Sequence, residues 1–219
     1  MLKSPQKIQF YLKIFIFIFI ISSILTFIEQ LTNERLNILA RTESLGFFTT
    51  VLMYVFTGMI FGWLQDIYIL IELAKTEKCT INIFPQIKDF VKENLKAIGN
   101  SSLWMFLLFI PGLIRWIDYS LIGFIVFLNP IYQAGEIDPL IYARILVKNH
   151  KFKFRLAWIF IHLIIPIIIA IILPGSDLFF ENPIKAISLQ VFNSLIYVIW
   201  IHILWKFFRL PILSNSLQN

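Results

Sequence analysis

Residues 14–25 read IFIFIFIISSIL, an apolar run in which Ser22 and Ser23 are the most polar side chains. The run lies within a longer apolar segment, 10–28, which as a helix at about 1.5 Å per residue covers about 30 Å of bilayer hydrocarbon. Alternating Ile and Phe suggest a strand, but hydrocarbon cannot satisfy an open sheet edge. The segment also exceeds the roughly 7–15 apolar residues of a signal peptide. It is therefore predicted to be a retained membrane-spanning helix.

The composition of the whole chain agrees with a membrane protein. Of its 219 residues 58% are hydrophobic and 15% are charged, whereas soluble domains average about 45–50% and about 25%. Mean hydropathy is +0.80. The single cysteine, Cys79, excludes an intrachain disulfide. Because the net charge of +6 resides beside apolar runs, it indicates membrane topology and not nucleic-acid binding. We expect one all-α transmembrane domain, 1–219.

Five apolar regions are candidate membrane segments, at 10–28, 47–71, 103–128, 156–173 and 187–205. The positive-inside rule predicts that 72–100, 131–155 and both termini are cytoplasmic, because these segments carry most of the 19 lysines and arginines. The third region must then enter and return, turning at Pro111 and Gly112. Each half would have only about 12–13 residues, or about 18–20 Å. We expect a helical bundle of five to six membrane segments, with a re-entrant or tilted hairpin. The alternative is one long helix with a proline kink.

Two further segments are predicted to be amphipathic helices at the cytoplasmic interface. In the first, apolar residues recur at helical spacing from Ile83 to Ile98, and Gly99 is expected just past the end. The second begins with Asp138 as N-cap and Pro139 in its first turn. Basic residues at the end of the second helix and after it are expected to contact anionic lipid headgroups, or only to fix topology. They are Lys148, Lys151, Lys153 and Arg155.

The stretch 80–155 resembles a group of bacterial polytopic membrane proteins of unknown function. Its segments FPQIKDFVKENLKAIG, LLFIPGLIRWIDYSLIGFIVFLNP and DPLIYARILVKNHKFKF follow the order of that group. The group carries an Ile-Pro-Gly element, a downstream Tyr and an A-x-x-x-S-x-x-L-x-x-G helix. Ala143 stands where the group has Ser, and Asn149 where it has Gly. The resemblance implies the architecture and no activity. Matching positions are Ile110, Pro111, Gly112, Tyr119, Pro130, Arg144, Leu146, Lys148 and Phe152.

Small and polar residues inside the apolar regions are candidates for helix packing. Gly58 and Gly62 form a G-x-x-x-G pattern, which allows close helix approach or dimerisation. The last span carries a polar stripe, which is expected to hydrogen-bond to a neighbouring helix. The stripe consists of Gln190, Asn193, Ser194 and Tyr197.

Two sets of ionisable residues inside the membrane are candidates for a function. Arg115 and Asp118, three residues apart, are expected to form an intramembrane ion pair. That pair is either structural or a gate in a broken-helix site. Asp66, His162 and His202 fall at similar depth below the cytoplasmic face. They are expected to form a buried polar cluster, either hydrogen-bonded and structural or a proton or ion site.

The motifs of common enzyme classes and of phosphate-binding loops do not occur in the sequence, and no metal or cofactor is predicted. We therefore expect a non-enzymatic, multi-pass protein of a bacterial inner (cell) membrane. It would be a structural or accessory subunit of a membrane assembly. The expected contacts are the bilayer and either a protein partner or a second copy, and no nucleic acid. The alternatives are a small transporter or channel component that uses the break at Pro111 and Gly112, and a lipid-modifying enzyme.

Overall fold

The computed structural model describes residues 4–40, 44–79, 81–148, 151–172 and 182–213, and all their regular elements are helical. The prediction of an all-α fold is thus confirmed. The helices are α1 (Ser4–Ala40), α2 (Ser44–Thr76), α3 (Ile83–Leu107), α4 (Phe109–Tyr119), α5 (Ile122–Leu128), α6 (Pro130–Gln133), α7 (Pro139–Lys148), α8 (Lys151–Ile159), a π-helical turn (Phe160–Ile164), α9 (Ile165–Ile172) and α10 (Pro183–Leu213).

Five stretches of the described chain are long and apolar enough to cross a membrane. They agree with the five apolar regions of the sequence, and they are consistent with a multi-pass membrane protein. The third differs from the first in burial, since 56% of its most apolar window is buried within the protein against 11% for the first. The stretches are Ile8–Ile28, Val55–Thr76, Phe109–Leu128, Phe152–Ile169 and Pro183–Leu213.

The chain divides into two compact units. Unit 1 comprises Met1–Asp66 and Pro166–Trp200, and unit 2 comprises Ile67–Ile165 and Ile201–Asn219. Both α2 and α10 contribute residues to each unit. The single domain, 1–219, stays a prediction.

In unit 1, α1 and α10 each bury one helical face. Ile14 and Ile18 are buried on α1, whereas Gln190 and Ser194 are buried on α10. The Gln190 amide donates to Thr26 Oγ1 at 2.6 Å. This bond joins the two helices within unit 1.

Unit 2 contains an antiparallel hairpin formed by α3 and α4, which turns at Leu108. There the backbone is extended, with φ −150° and ψ 107°. The predicted turn at Pro111 and Gly112 is therefore wrong, because both residues lie inside α4. Pro111 occupies the first helical turn, where a missing N–H costs nothing. Gly112 is buried, and a Cβ there would overlap the backbone N and Cα of Met105 on α3.

The helix α3 is longer than the amphipathic pattern predicted. It continues through Gly99 to Leu107, so Gly99 does not mark its end. The start of α7 agrees with the prediction, because Asp138 Oδ1 accepts hydrogen bonds from the N–H groups of Leu140 and Ile141 at 2.8 and 3.1 Å. Both segments are helices as expected, and their place at the membrane interface stays a prediction.

The short helix α5 is the centre of unit 2, because all seven of its residues are buried. Its Phe127 packs edge-on against Phe90 of α3, with ring centroids 5.9 Å apart. Asn129 then interrupts the helix in an extended conformation and caps α6. Its Nδ2 donates to the carbonyl of Ile212 at 2.8 Å, which fixes the end of α10 to the break.

The fourth apolar region is interrupted by the π-helical turn Phe160–Ile164. Pro166 has no N–H, so the α-helical hydrogen bond to the carbonyl of His162 cannot form. The N–H of Ile165 bonds instead to the carbonyl of Phe160. The turn therefore accommodates the proline by adding one residue to the helical ring.

Candidate functional site

Asp118 forms a buried ion pair with Arg155 of α8, which corrects the predicted pair with Arg115. The guanidinium donates from Nε to Oδ1 at 3.0 Å and from one terminal nitrogen to Oδ1 and Oδ2 at 2.8 and 2.7 Å. Asp118 is 5% exposed. Such charge-assisted bonds are among the strongest in proteins.

Arg115 lies elsewhere on α4, with its Cζ 5.8 Å from the ring centroid of Trp104 on α3. This is a cation–π contact across the hairpin. Arg115 and Asp118 are three residues apart in sequence, but the structure gives them different partners on different elements. Spacing along one helix indicates only partners on that helix, so it could not reveal these contacts with other elements.

The basic residues predicted to meet lipid headgroups fall into two groups. Lys148 and Lys153 are exposed, as such a contact requires. Arg155 is committed to Asp118, so its predicted role as a headgroup contact is wrong. The side chain of Lys151, like Asn149, lies outside the described residues.

Asp66, in unit 1, accepts a hydrogen bond from the Tyr197 hydroxyl. Tyr197 belongs to the predicted polar stripe, whose members Gln190 and Ser194 are buried, whereas Asn193 is exposed. In unit 2, the His162 ring lies 5.0 Å from that of Trp158, and His202 is exposed. The predicted cluster of Asp66 with both histidines stays a prediction.

Gly58 and Gly62 do not mark a close helix contact in the described part of the chain. A Cβ at either position would meet none of the described residues within 4 Å. The predicted packing role is therefore not seen among the described residues and stays a prediction. Dimerisation through this face stays a prediction.

A second ion pair, which the sequence argument missed, joins α10 to the end of α2. Arg209 donates to the two carboxylate oxygens of Glu77 at 3.0 and 2.6 Å. Trp205 Nε1 lies 3.4 Å from the same carboxylate. The partners are 132 positions apart, so no local spacing rule could pair them.

A cavity of about 730 Å³ lies in unit 2 beside the start of α3. Gln86, buried in its wall, accepts from the N–H of Asn82 at 3.1 Å and donates to the carbonyl of Phe127 at 3.5 Å. Gln133 donates to the same carbonyl at 3.0 Å. The start of α3 and the end of α5 therefore meet at one end of unit 2. The cavity is lined by Ile81, Asn82, Pro85, Gln86, Asp89, Lys92, Val126, Tyr132, Gln133 and Gly135.

The Tyr132 side chain is half-buried, and the charges of three carboxylates act on its hydroxyl. Burial, followed by the charges of Asp89, Glu93 and Asp138, raises the pKa of Tyr132 to about 12. The phenol is therefore protonated at neutral pH and can donate a hydrogen bond. The Lys96 ammonium holds Glu93 Oε1 at 2.8 Å, and this bond raises the pKa of Lys96.

Comparison with known protein families, with curated proteins and with solved structures finds no match. Among the described residues, no group of three or more His, Cys, Asp and Glu side chains could hold a metal ion. The function is therefore inferred from the geometry of this chain.

Proposed function

We propose that the protein is a non-enzymatic structural or accessory subunit of a membrane assembly. The observation that carries this proposal is the pairing of polar groups within the candidate spans. Asp118 is held by Arg155, Asp66 by Tyr197, and Gln190 by Thr26. Each pair joins two helices of one unit, as expected of residues that stabilise helix packing.

The breaks in the helices favour the same role. A transporter that uses a broken helix needs unwound backbone that faces its substrate. Pro111 and Gly112 lie inside α4, so the break on which that alternative depended is missing there. At Asn129 backbone groups beside the break are bonded to side chains, because the N–H of Tyr132 donates to Asn129 and the carbonyl of Phe127 accepts from Gln133. Hydrogen bonds therefore hold the backbone at this break in place within the protein core.

The hairpin of α3 and α4 enters the bilayer from one face and returns to it in this proposal. Asn100 and Tyr119, bonded at 3.3 Å, mark the polar base of the two arms. From this base, α4 extends 11 residues to the turn, about 16 Å along the helix axis, so the tip of a tilted hairpin lies less than halfway into the roughly 30 Å of hydrocarbon. The tip is strongly exposed, with Phe106 at 90% and Phe109 at 69%. Lipid would cover the exposed apolar side chains of this tip.

The orientation of the chain in the membrane follows from the positions of the charged segments of unit 2. The end of α2, the start of α3 and the end of α10 meet through the Glu77–Arg209 pair and the bonds of Gln86 and Asn129. These segments belong to the basic groups assigned to the cytoplasm by the positive-inside rule. The N- and C-termini are accordingly cytoplasmic, and the membrane is the inner (cell) membrane. The resemblance of 80–155 to bacterial polytopic proteins of unknown function is part of the same proposal.

The test is purification of the tagged full-length chain from its own membranes in a mild detergent. A stoichiometric partner, or a second copy, should elute with the chain. The Asp66→Asn variant, which retains a hydrogen-bond acceptor for Tyr197, should keep that partner and its function in the cell. A monodisperse single chain without a partner contradicts the proposal. So does a folded Asp66→Asn variant that keeps its partner and loses function, because that result assigns a titrating role to Asp66.

A further inference from the structure

Three polar side chains that line the cavity beside the start of α3, Asp89, Lys92 and Tyr132, can reach a bound molecule. Asp89 and Tyr132 form no ion pair or side-chain hydrogen bond with any described residue. Lys92 Nζ lies 3.8 Å from Glu93 Oε1, an oxygen that Lys96 already holds at 2.8 Å, and its side chain is 60% exposed. Asp89 and Lys92 are one helical turn apart on α3 and both line the cavity.

We propose that this cavity binds an aminoalkyl phosphate, the group that forms the headgroup of an ethanolamine phospholipid. The Asp89 carboxylate and the Tyr132 hydroxyl oxygen accept hydrogen bonds from the primary ammonium, and Lys92 donates to the phosphate. This assignment goes beyond the accessory role and does not depend on it.

The charges around the cavity favour a zwitterion over a simple ion. An anion would approach Asp89 as well as Lys92, and the negative charge of Glu93 also acts on the Tyr132 hydroxyl. A simple cation would meet the ammonium of Lys92. Glu93 Oε2 is buried without a hydrogen-bond partner among the described residues, so the negative charge that acts on Tyr132 is only partly compensated. A molecule that carries one positive and one negative charge can pair with both Asp89 and Lys92.

The rim of the cavity favours a lipid as the source of this headgroup. Ile83 and Phe84 lie between the lining residues Asn82 and Pro85, and they are 48% and 88% exposed. Apolar side chains so exposed at the start of an amphipathic helix are typical of insertion at the headgroup boundary. The lining residues Ile81, Pro85 and Val126 supply an apolar wall for the glycerol and the first acyl carbons.

The test uses the purified, delipidated full-length protein and native mass spectrometry. Phosphatidylethanolamine should bind about tenfold more tightly than phosphatidylcholine of the same acyl chains. The choline headgroup has three methyl groups in place of the N–H donors, and a hydrogen bond to a charged group contributes about 1.5–3 kcal/mol. Phosphatidylglycerol, which has no ammonium, should bind as weakly as phosphatidylcholine.

Two matched variants assign the contacts. Asp89→Asn should weaken phosphatidylethanolamine binding about tenfold, and Lys92→Gln should weaken it in the same direction. Glu136→Gln and Lys88→Gln remove exposed charges near the cavity that do not line it. These two controls should bind as the unchanged protein does.

Soluble glycerophosphoethanolamine separates the two sources of the headgroup. If the soluble compound binds more weakly than the intact lipid, the ligand of the cavity is a membrane lipid. If the two bind equally, the ligand is a soluble aminoalkyl phosphate. Equal binding of ethanolamine and choline lipids would overturn the proposal. Unchanged ethanolamine-lipid binding by a folded Asp89→Asn variant would overturn it too. The first comparison uses only the unchanged chain, so it holds even where a variant fails to fold.

Discussion

Asp118 and Arg155 stand 37 positions apart, and one guanidinium nitrogen of Arg155 contacts both carboxylate oxygens of Asp118 at 2.8 and 2.7 Å. The pair joins α4, the second arm of the hairpin, to α8. Because Asp118 is buried, its charge has a stable place in the fold only while Arg155 is present.

The first prediction concerns this ion pair. Asp118→Asn should lower the free energy of unfolding by about 2–4 kcal/mol, somewhat less than the roughly 3–5 kcal/mol of a fully buried pair, because Arg155 is partly exposed. The double variant Asp118→Asn with Arg155→Gln should lose less, since no charge is left unpaired. Thermal unfolding in one detergent measures both. Arg115→Gln is the control, and a loss there as large as that of Asp118→Asn would contradict the assignment.

The second prediction concerns the close approach of α3 and α4 at Gly112. Gly112→Ala should destabilise the protein, because the added Cβ would overlap the backbone of Met105. Gly99→Ala is the matched control. That Cβ meets no described residue within 4 Å, and alanine inside a helix is favoured by about 0.5–1 kcal/mol. Opposite shifts of the melting temperature are expected, and equal shifts would show that the hairpin is loosely packed.

The third prediction concerns Asp66 and Tyr197. Tyr197→Phe removes the donor and leaves a carboxylate without its hydrogen bond, at a cost of about 1–3 kcal/mol. Asp66→Asn should cost less, because the amide oxygen accepts the same bond. Detergent stability of the two variants provides the comparison. A larger loss from Asp66→Asn would mean that the ionised carboxylate has a further partner.

The fourth prediction concerns the thiol of Cys79. Burial, and then the charge of Glu77, raises the pKa of Cys79 above its usual range. Because the thiolate is the reactive form, alkylation at neutral pH should be slower than that of an exposed thiol and should accelerate only at alkaline pH. The rate of maleimide labelling against pH gives the midpoint. A midpoint at or below that of free cysteine would contradict this account of the site.

The sequence predicted the helical class and the five apolar segments because both depend on composition and length. The N-cap at Asp138 was predictable because it depends on neighbours in the chain. Local reasoning failed where the partner is distant, as for Asp118 with Arg155 and Glu77 with Arg209. It misplaced the hairpin turn because proline and glycine suggested a break, whereas a proline in a first turn and a glycine at a close contact suit a helix equally well. Asn129 before Pro130 was a visible cap signal that could have located the second break.

The central claim is that the α3–α4 hairpin returns to the side from which it entered. Its direct test uses Cys79 before the hairpin and, in a Cys79→Ser background, Glu136→Cys after it. Each is labelled with a membrane-impermeant maleimide at alkaline pH in right-side-out and inside-out vesicles. Both sites should react only in inside-out vesicles, which expose the cytoplasmic face. Labelling of Glu136→Cys in right-side-out vesicles, with Cys79 labelled only in inside-out ones, would show that residues 109–128 cross the membrane and would contradict the account.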